Sequence, residues 1–266
     1  MEYEDLLLEK KDGIATITLN VPEKLNALTR KMTMSLAKVT DDIARDEEVR
    51  VVIVTGAGRG FSSGADVSAM VGGGGGGATE ITRFQRLQVI GWPHADVFPK
   101  LNKPSIAAVN GPCVGGGFSL ALSCDIRIAS DTARFGAAQI ARALVPDYGL
   151  TFYLPLVIGV SRAMELMCTA EIIGAEEAER LGIVSRVVPT DQLMDEAQAL
   201  AEKIAKQPPI SIELTKMMVW RSLFDGLARQ IDLETGAQQI CFTTEDHRES
   251  VKAFLEKKPI PEFKGK

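Results

Sequence analysis

Apolar and polar positions alternate from the start of the chain. Around the turn Lys11-Asp12-Gly13, the set Ile14, Thr16 and Thr18 alternates with Ala15, Ile17 and Leu19, which predicts two strands over residues 4–20. Thr29 is placed to cap a helix running to about Arg45, and Val49–Val54 is a near-continuous β-branched run expected of a strand buried on both faces of a parallel sheet. A helix between two strands implies a βαβ crossover. The alternation repeats: a helical stretch over about 79–101, a short strand Ser105–Val109, a helix Gly115–Ser123 and a strand Asp125–Ala129. Beyond Val188 the period becomes helical throughout, with amphipathic helices over about 191–206, 210–240 (broken near Asp225-Gly226) and 244–257. This organisation is an α/β core over residues 1–190 followed by a helical region over 191–266, which needs its own core or a neighbouring subunit to cover.

Composition narrows the function. Of 266 residues, 45% are hydrophobic and 24% charged, ordinary for a soluble globular protein, and the net charge of −5 argues against a surface that tracks nucleic-acid phosphates. The opening MEYEDLLLEKKDG is acidic where a secretion signal is basic and then apolar, and no apolar run approaches membrane-spanning length. A cytoplasmic protein without membrane or nucleic-acid partners is expected. Cys113, Cys124, Cys168 and Cys241 form no CxxC pair, so buried free thiols are expected rather than disulfides or a metal site. The six glycines Gly72–Gly77 predict a mobile loop, either a neutral linker or a lip that closes over a ligand.

Two glycine-rich turns carry the candidate chemistry. Gly60-Phe61-Ser62-Ser63-Gly64-Ala65-Asp66-Val67 follows the Val49–Val54 strand, and Gly111–Gly117 follows Ser105–Val109. Each leads toward a helix start, where free N–H groups favour negative charge, so two such turns could aim donors at one oxygen as an oxyanion hole. Neither has the order of a dinucleotide fingerprint, and the Gly-Lys-Ser/Thr of a phosphate loop is absent. Gly117-Phe118-Ser119-Leu120-Ala121 approximates a nucleophile elbow, but Ser119 falls inside the following helix rather than on the turn. Its possible bases, His94 and His247, are read as surface or capping residues.

Read in order, these residues resemble the crotonase family of enoyl-CoA hydratase/isomerases. The resemblance runs through Pro22-x-x-x-Asn26-Ala27-Leu28, Phe61-Ser62-Ser63-Gly64-Ala65-Asp66, Lys103–Gly111, Gly115-Gly116-Gly117, Cys124–Ala129, Phe135-Gly136, Ala175–Ala178 with Gly182-Ile183-Val184, and Ala253–Lys257. It implies an α/β spiral of stacked ββα turns with a helical C-terminal trimerisation region, assembled as a homotrimer or hexamer, and a role in fatty acid metabolism. It also implies an acyl-CoA substrate, coenzyme A being part of the substrate, with no separate cofactor and no metal. By position, the N–H groups of Ala65 and Gly116 would grip the thioester carbonyl. Lys24, Leu25, Asn26 and Ala27, with Ser63, Gly64, Asp66, Val67 and Ser68, would line the nucleotide and pantetheine path, and Phe254 and Lys257 would reach the CoA.

The family's hydratases use two glutamates, at positions that here read Ser119 and Gln139. Neither side chain ionises as a base near neutral pH, although both can line the pocket and hydrogen-bond a substrate group. Leu144-Val145-Pro146-Asp147-Tyr148-Gly149 resembles the segment in which the family's isomerases carry a proton-shuttling aspartate, and the apolar surroundings of Asp147 would raise its proton affinity. A bland reading makes Asp147 the cap of a helix starting near Gly149, and Asp66 a helix N-cap. The favoured expectation is an enoyl-CoA double-bond isomerase, with Asp147 as shuttle and Ala65 and Gly116 as donors. The alternatives are a hydratase or another lyase-type enolate reaction, and a CoA-thioester binding protein without catalysis.

Overall fold

The computed structural model describes residues 3–66, 95–259 and 261, without the side chains of 224–230 and 233. Strands β1 (Leu6–Lys11) and β2 (Ile14–Leu19) form an antiparallel hairpin whose two turn residues, Asp12 and Gly13, both have positive φ, as a turn matching the strands' right-handed twist requires. Helix α1 (Arg30–Ala44) starts where Thr29 accepts the Met32 N–H, and the chain then returns as β3 (Val51–Gly56), parallel to β2. Helix α2 (Val97–Lys100) precedes β4 (Ser105–Val109). The rest of the expected 79–101 helix lies outside the described residues, as do Gly72–Gly77 and His94.

Each following turn of chain lays one strand in each of two sheets. After β4 comes the short β5 (Pro112–Val114) and helix α3 (Gly116–Ser123); then β6 (Ile126–Ser130) and β7 (Arg134–Gly136), leading through a 3-10 turn (Ile140–Arg142) into α4 (Leu150–Ile158) and α5 (Val160–Thr169). Strand β8 (Ile172–Gly174), α6 (Ala175–Arg180) and β9 (Arg186–Val188) complete the winding. The large sheet has the order β1-β2-β3-β4-β6-β9 and is parallel except for β1; the small one is β5-β7-β8. This is the expected α/β spiral. The three-residue strands of the small sheet are too short for periodicity to announce, and they were not anticipated.

Alternation along the parallel strands sorts side chains into two cores. Val52, Val54, Ala107, Val109 and Ala129 join the larger core with Met32, Leu36, Val39 and Ile43 of α1. On the opposite face Val51, Ile53, Ile106, Ala108 and Ile128 pack under Leu193, Ala197 and Ala201 of α7 (Leu193–Ala205). The first C-terminal helix therefore seals the second face of the sheet, as a parallel sheet requires. Among the described residues no helix is long and apolar enough to cross a membrane.

Two expectations are corrected here. Helix α8 runs unbroken over Pro209–Thr243, through Asp225-Gly226, before α9 (Glu245–Leu255). A helical glycine costs only about 1 kcal/mol, and α8 is anchored on both sides of Gly226. Of the four thiols only Cys113 and Cys124 are buried, while Cys241 is half-buried and Cys168 exposed. Burial pushes Cys124 up to about 12, which keeps it an inert thiol.

The N-terminal anchor of α8 is ionic and desolvated. Lys216 Nζ meets Asp125 Oδ2 at 2.7 Å and donates to the Lys103 carbonyl at 2.8 Å, and Trp220 Nε1 donates to Asp125 Oδ1 at 2.7 Å. The Ser105 N–H and hydroxyl complete the carboxylate's shell at 2.7 and 2.8 Å. Burial draws the Lys216 ammonium below its ordinary range, against the pull of Asp125. Asp125→Ala strands that ammonium and is expected to lose about 3–5 kcal/mol of stability in urea unfolding, with Asp125→Asn losing less.

Candidate active site

The site begins where the two glycine turns touch. The N–H groups of Phe61 and Ser62 both donate to the Pro112 carbonyl at 3.0 Å, and Val114 N–H donates to Ser62 O at 3.0 Å, so residues 61–65 run beside β5. On the other side, Ser63 N–H donates to Leu25 O and Leu28 N–H to Gly64 O, both at 2.8 Å. Side chains lock the same three strips: Ser62 Oγ donates to Asn26 O, and Ser63 Oγ donates to Lys24 O. Asn26 is fully buried, accepting the Val21 N–H and donating to Ala57 O and Gly60 O. Its side chain is therefore committed to holding the turn.

This approach needs glycine at two positions. Gly64 has φ +84°, and a Cβ there would lie 2.8 Å from Val114 O; a Cβ on Gly117 would lie 2.5 Å from Ser62 O. Both collisions are with backbone. Because the turns are this close, a Cβ on Gly116 would stand 3.8 Å from the Ala65 nitrogen. Among the described residues neither the Ala65 nor the Gly116 N–H has a hydrogen-bond acceptor. Two unengaged donors stand side by side at the start of α3, an arrangement suited to an oxygen that acquires negative charge.

Beside these donors lies one carboxylate among neutral partners. A Cβ on Gly115 would lie 3.8 Å from the Gln139 side-chain amide carbon, and one on Gly116 would lie 3.7 Å from the Tyr148 ring. Gln139 Nε2 donates to Asp147 Oδ1 at 3.2 Å, and Gln238 Nε2 donates to Oδ2 at 3.0 Å. Ser119, fully buried in α3, donates its hydroxyl to the Asp147 main-chain carbonyl at 2.9 Å. Asp147 is 7% exposed. Burial raises its pKa from the ordinary carboxylate value, against the two amide donors that favour the charged form.

The Asp147 loop is held by α8. Gln238 accepts the Val145 N–H at 3.0 Å, and one turn earlier Glu234 accepts the Gly149 N–H at 2.8 Å and the Thr151 N–H at 3.2 Å, as well as the Thr151 hydroxyl. Glu234 thus satisfies the start of α4, whose N-cap is Gly149. The bland role foreseen for Asp147, capping that helix with its side chain, is not what the structure has. Burial is the main cause that raises Glu234 to about 7. Neither Glu234 nor Gln238 was singled out from sequence; the only trace is their i, i+4 spacing within a long helix.

The remaining expected residues divide. Lys24 and Asp66 pair at 2.8 Å on the half-exposed rim beside Leu25–Ala27, and the hydrogen bond to Asp66 raises the Lys24 pKa. Val67 and Ser68 lie outside the described residues. Phe254 presents its ring to the Arg142 guanidinium at 4.1 Å, and Lys257 is exposed just past α9 with φ 54°. His247 is buried, not at the surface as expected: its Nδ1 bonds the Arg142 carbonyl and its ring meets Phe242. It is engaged away from Ser119, whose own hydroxyl is committed to Asp147 O, so among the described residues no serine–histidine pair is assembled.

The chain is similar to known proteins in both sequence and fold. The enoyl-CoA hydratase/isomerase family model matches residues 9–266. The chain is 38% identical to a short-chain-enoyl-CoA hydratase of Clostridium acetobutylicum across the full length of both. An enoyl-CoA hydratase structure from Mycobacterium avium subsp. paratuberculosis superposes with a TM-score of 0.86 at 29% identity, covering 99% of this chain and 100% of that one. A monofunctional enoyl CoA isomerase from M. smegmatis matches with a TM-score of 0.66 at 39% identity, covering 84% and 93%.

Two stability measurements check the site's construction. Gly117→Ala is expected to destabilise by about 2 kcal/mol or more, whereas Gly116→Ala, whose Cβ meets the movable Leu28 Cδ1 at 3.2 Å and nothing else closer than ordinary contact, should change stability by less than about 1 kcal/mol. Glu234 binds its proton more tightly folded, at about 7, than at its ordinary value of 4.5. Its contribution is therefore full below about pH 4.5 and lost as pH rises through 7. Urea unfolding of Glu234→Gln at pH 4.5 and pH 8 should show a pH-dependent loss smaller than wild type's by about 3 kcal/mol.

Proposed function

Since the chain belongs to the enoyl-CoA hydratase/isomerase family, we propose that it shifts the double bond of an enoyl-CoA thioester, between the 3,4 and 2,3 positions. The observation that carries this reading is the buried carboxylate of Asp147 beside the paired Ala65 and Gly116 N–H groups, with the non-ionising Ser119 and Gln139 at the positions where, by the resemblance, the family's hydratases have glutamates. Removing a proton from carbon conjugated to a thioester places negative charge on the carbonyl oxygen, which the two N–H donors stabilise in a site sheltered from water. Asp147 takes that proton from one carbon and returns it to another, with no net gain or loss. Its raised proton affinity suits a group that must both accept and release a proton near neutral pH.

We assign the CoA path to Lys24–Ala27 and Ser63–Ser68, with Phe254 and Lys257 at its far end, and the assembly to a homotrimer or hexamer. In this scheme residues 1–190 form the core that binds the CoA and acyl chain, and the helical region 191–266 mediates trimerisation. A second reading, hydration, is favoured by two observations: the Clostridium acetobutylicum relative is named a hydratase, and Glu234 supplies a second buried carboxylate behind the Asp147 loop. A water would then have to be activated without glutamates at 119 and 139.

The test is incubation in heavy water with a panel of 2-enoyl- and 3-enoyl-CoA esters, following mass and double-bond position. A double-bond shift with no added water is expected, falling by about 10²-fold or more in Asp147→Asn. Gly116→Pro, which deletes a donor N–H, should abolish it, while Ser119→Ala retains most. Addition of water would select the hydratase reading instead; tight binding of every ester with no turnover would leave a CoA-thioester binding protein.

A further inference from the structure

The two amides that meet Asp147 are not equivalent. Gln238 is held at both ends: its Oε1 accepts the Val145 N–H at 3.0 Å, so its Nε2 must face Asp147 Oδ2. Turning that amide over would set its oxygen against a carboxylate oxygen and its NH₂ against an N–H. Gln139 is held at one end only. It donates to Oδ1 at 3.2 Å, while its own Oε1 is buried and has no hydrogen-bond partner among the described residues. The residue is 7% exposed, and a buried acceptor without a protein partner is costly to keep.

From this asymmetry we propose that Gln238 is a positioning residue that keeps Oδ2 of Asp147 an acceptor throughout turnover, so that Oδ1 carries the transferred proton and Gln139 is its reversible partner. When Asp147 is ionised, Gln139 donates to Oδ1, as the structure has it. When Oδ1 bears the proton taken from substrate, a half-turn of the Gln139 amide lets its orphan Oε1 accept the new O–H, and the return of the proton to carbon reverses the turn. No atom or charge is gained over the cycle. An amide serves both states because it is donor and acceptor at once; a glutamate at 139 would repel the ionised aspartate.

Among the described residues, the other groups facing the carboxylate are Glu234, from the preceding turn of α8, and the Tyr148 phenol on its own loop. Ser119 reaches only the main-chain oxygen, and Arg142 is turned away, to the Ala138 carbonyl and the Phe254 ring. The inference rests on the reading that Asp147 moves the proton.

The experiment is the pH dependence of kcat/KM for isomerisation in wild type, Gln238→Met, Gln139→Met and Gln238→Glu, with Asp147→Asn alongside. Gln238→Met removes a fixed donor that binds the carboxylate more strongly than the neutral acid and cannot turn to favour the acid, so the acid limb should move up by about one pH unit. Gln139→Met removes a partner of both forms, so its kcat should fall while the limb moves by less than half as much. If Gln238→Met misfolds, the isosteric Gln238→Glu keeps the Val145 acceptor and the loop, and should add a second ionisation to the profile. Equal shifts in the two methionine variants, or a wild-type profile in Gln238→Glu, would overturn the asymmetry. Undiminished turnover in Asp147→Asn would instead overturn the shuttle reading beneath it.

Discussion

The closeness of two backbone strips governs this molecule. Phe61 and Ser62 share the Pro112 carbonyl while Val114 returns a bond to Ser62, and that ladder has room for no side-chain atom at Gly64 or Gly117. Bringing main chain this near main chain strips water from both, so every polar group at the contact needs a protein partner. The Asn26 amide and the Ser62 and Ser63 hydroxyls supply partners on the outer side. Among the described residues the Ala65 and Gly116 N–H groups are left without a protein acceptor, and they lie close together. These donors are thus a remainder of the packing, and a pair fixed in place in this way needs no reorganisation to meet a developing negative charge.

Charge in the site is rationed by the same logic. A buried carboxylate pays for lost hydration unless donors replace it, and each donor favours the ionised form while burial favours the acid. Asp147 has two amide donors against full burial, whereas Glu234 has three donors that also satisfy the start of α4, and burial still raises it to about 7. Two neighbouring carboxyls that both bind protons readily disfavour simultaneous ionisation. Neutral Ser119 and Gln139 avoid adding a third and fourth negative charge to this pocket.

The α/β winding was legible because burial writes itself into local pattern. Val51–Gly56 and Ser105–Val109 are buried on both faces and are correspondingly apolar, and Thr29 caps α1 where its type and place suggested. The glycine turns were legible for a related reason: glycine recurs where backbone must approach backbone. What escaped has no local signature. β5, β7 and β8 are three residues each, and the continuity of α8 through Gly226 depends on ionic and hydrogen-bonded anchors supplied by residues about a hundred positions away. Glu234 and Gln238 look in sequence like ordinary solvated helix residues, yet each is 2% exposed. Only the tertiary fold brings them against the Asp147 loop.

That placement explains why a long helix remains attached to a core whose sheet is already sealed by α7. Lys216 and Trp220 tie α8 to Asp125 at the head of β6, while Glu234 and Gln238 tie it to the loop before α4. One rigid element therefore connects the sheet that bears the glycine turns to the loop that bears the carboxylate. A helix rises about 1.5 Å per residue, so the eighteen positions from 216 to 234 span about 27 Å without a hinge. The carboxylate's position relative to the N–H donors is set by a strut between them as well as by the chain that joins them, and a break at Asp225-Gly226 would have removed it. The helical run is thus tied mechanically to the loop that carries Asp147.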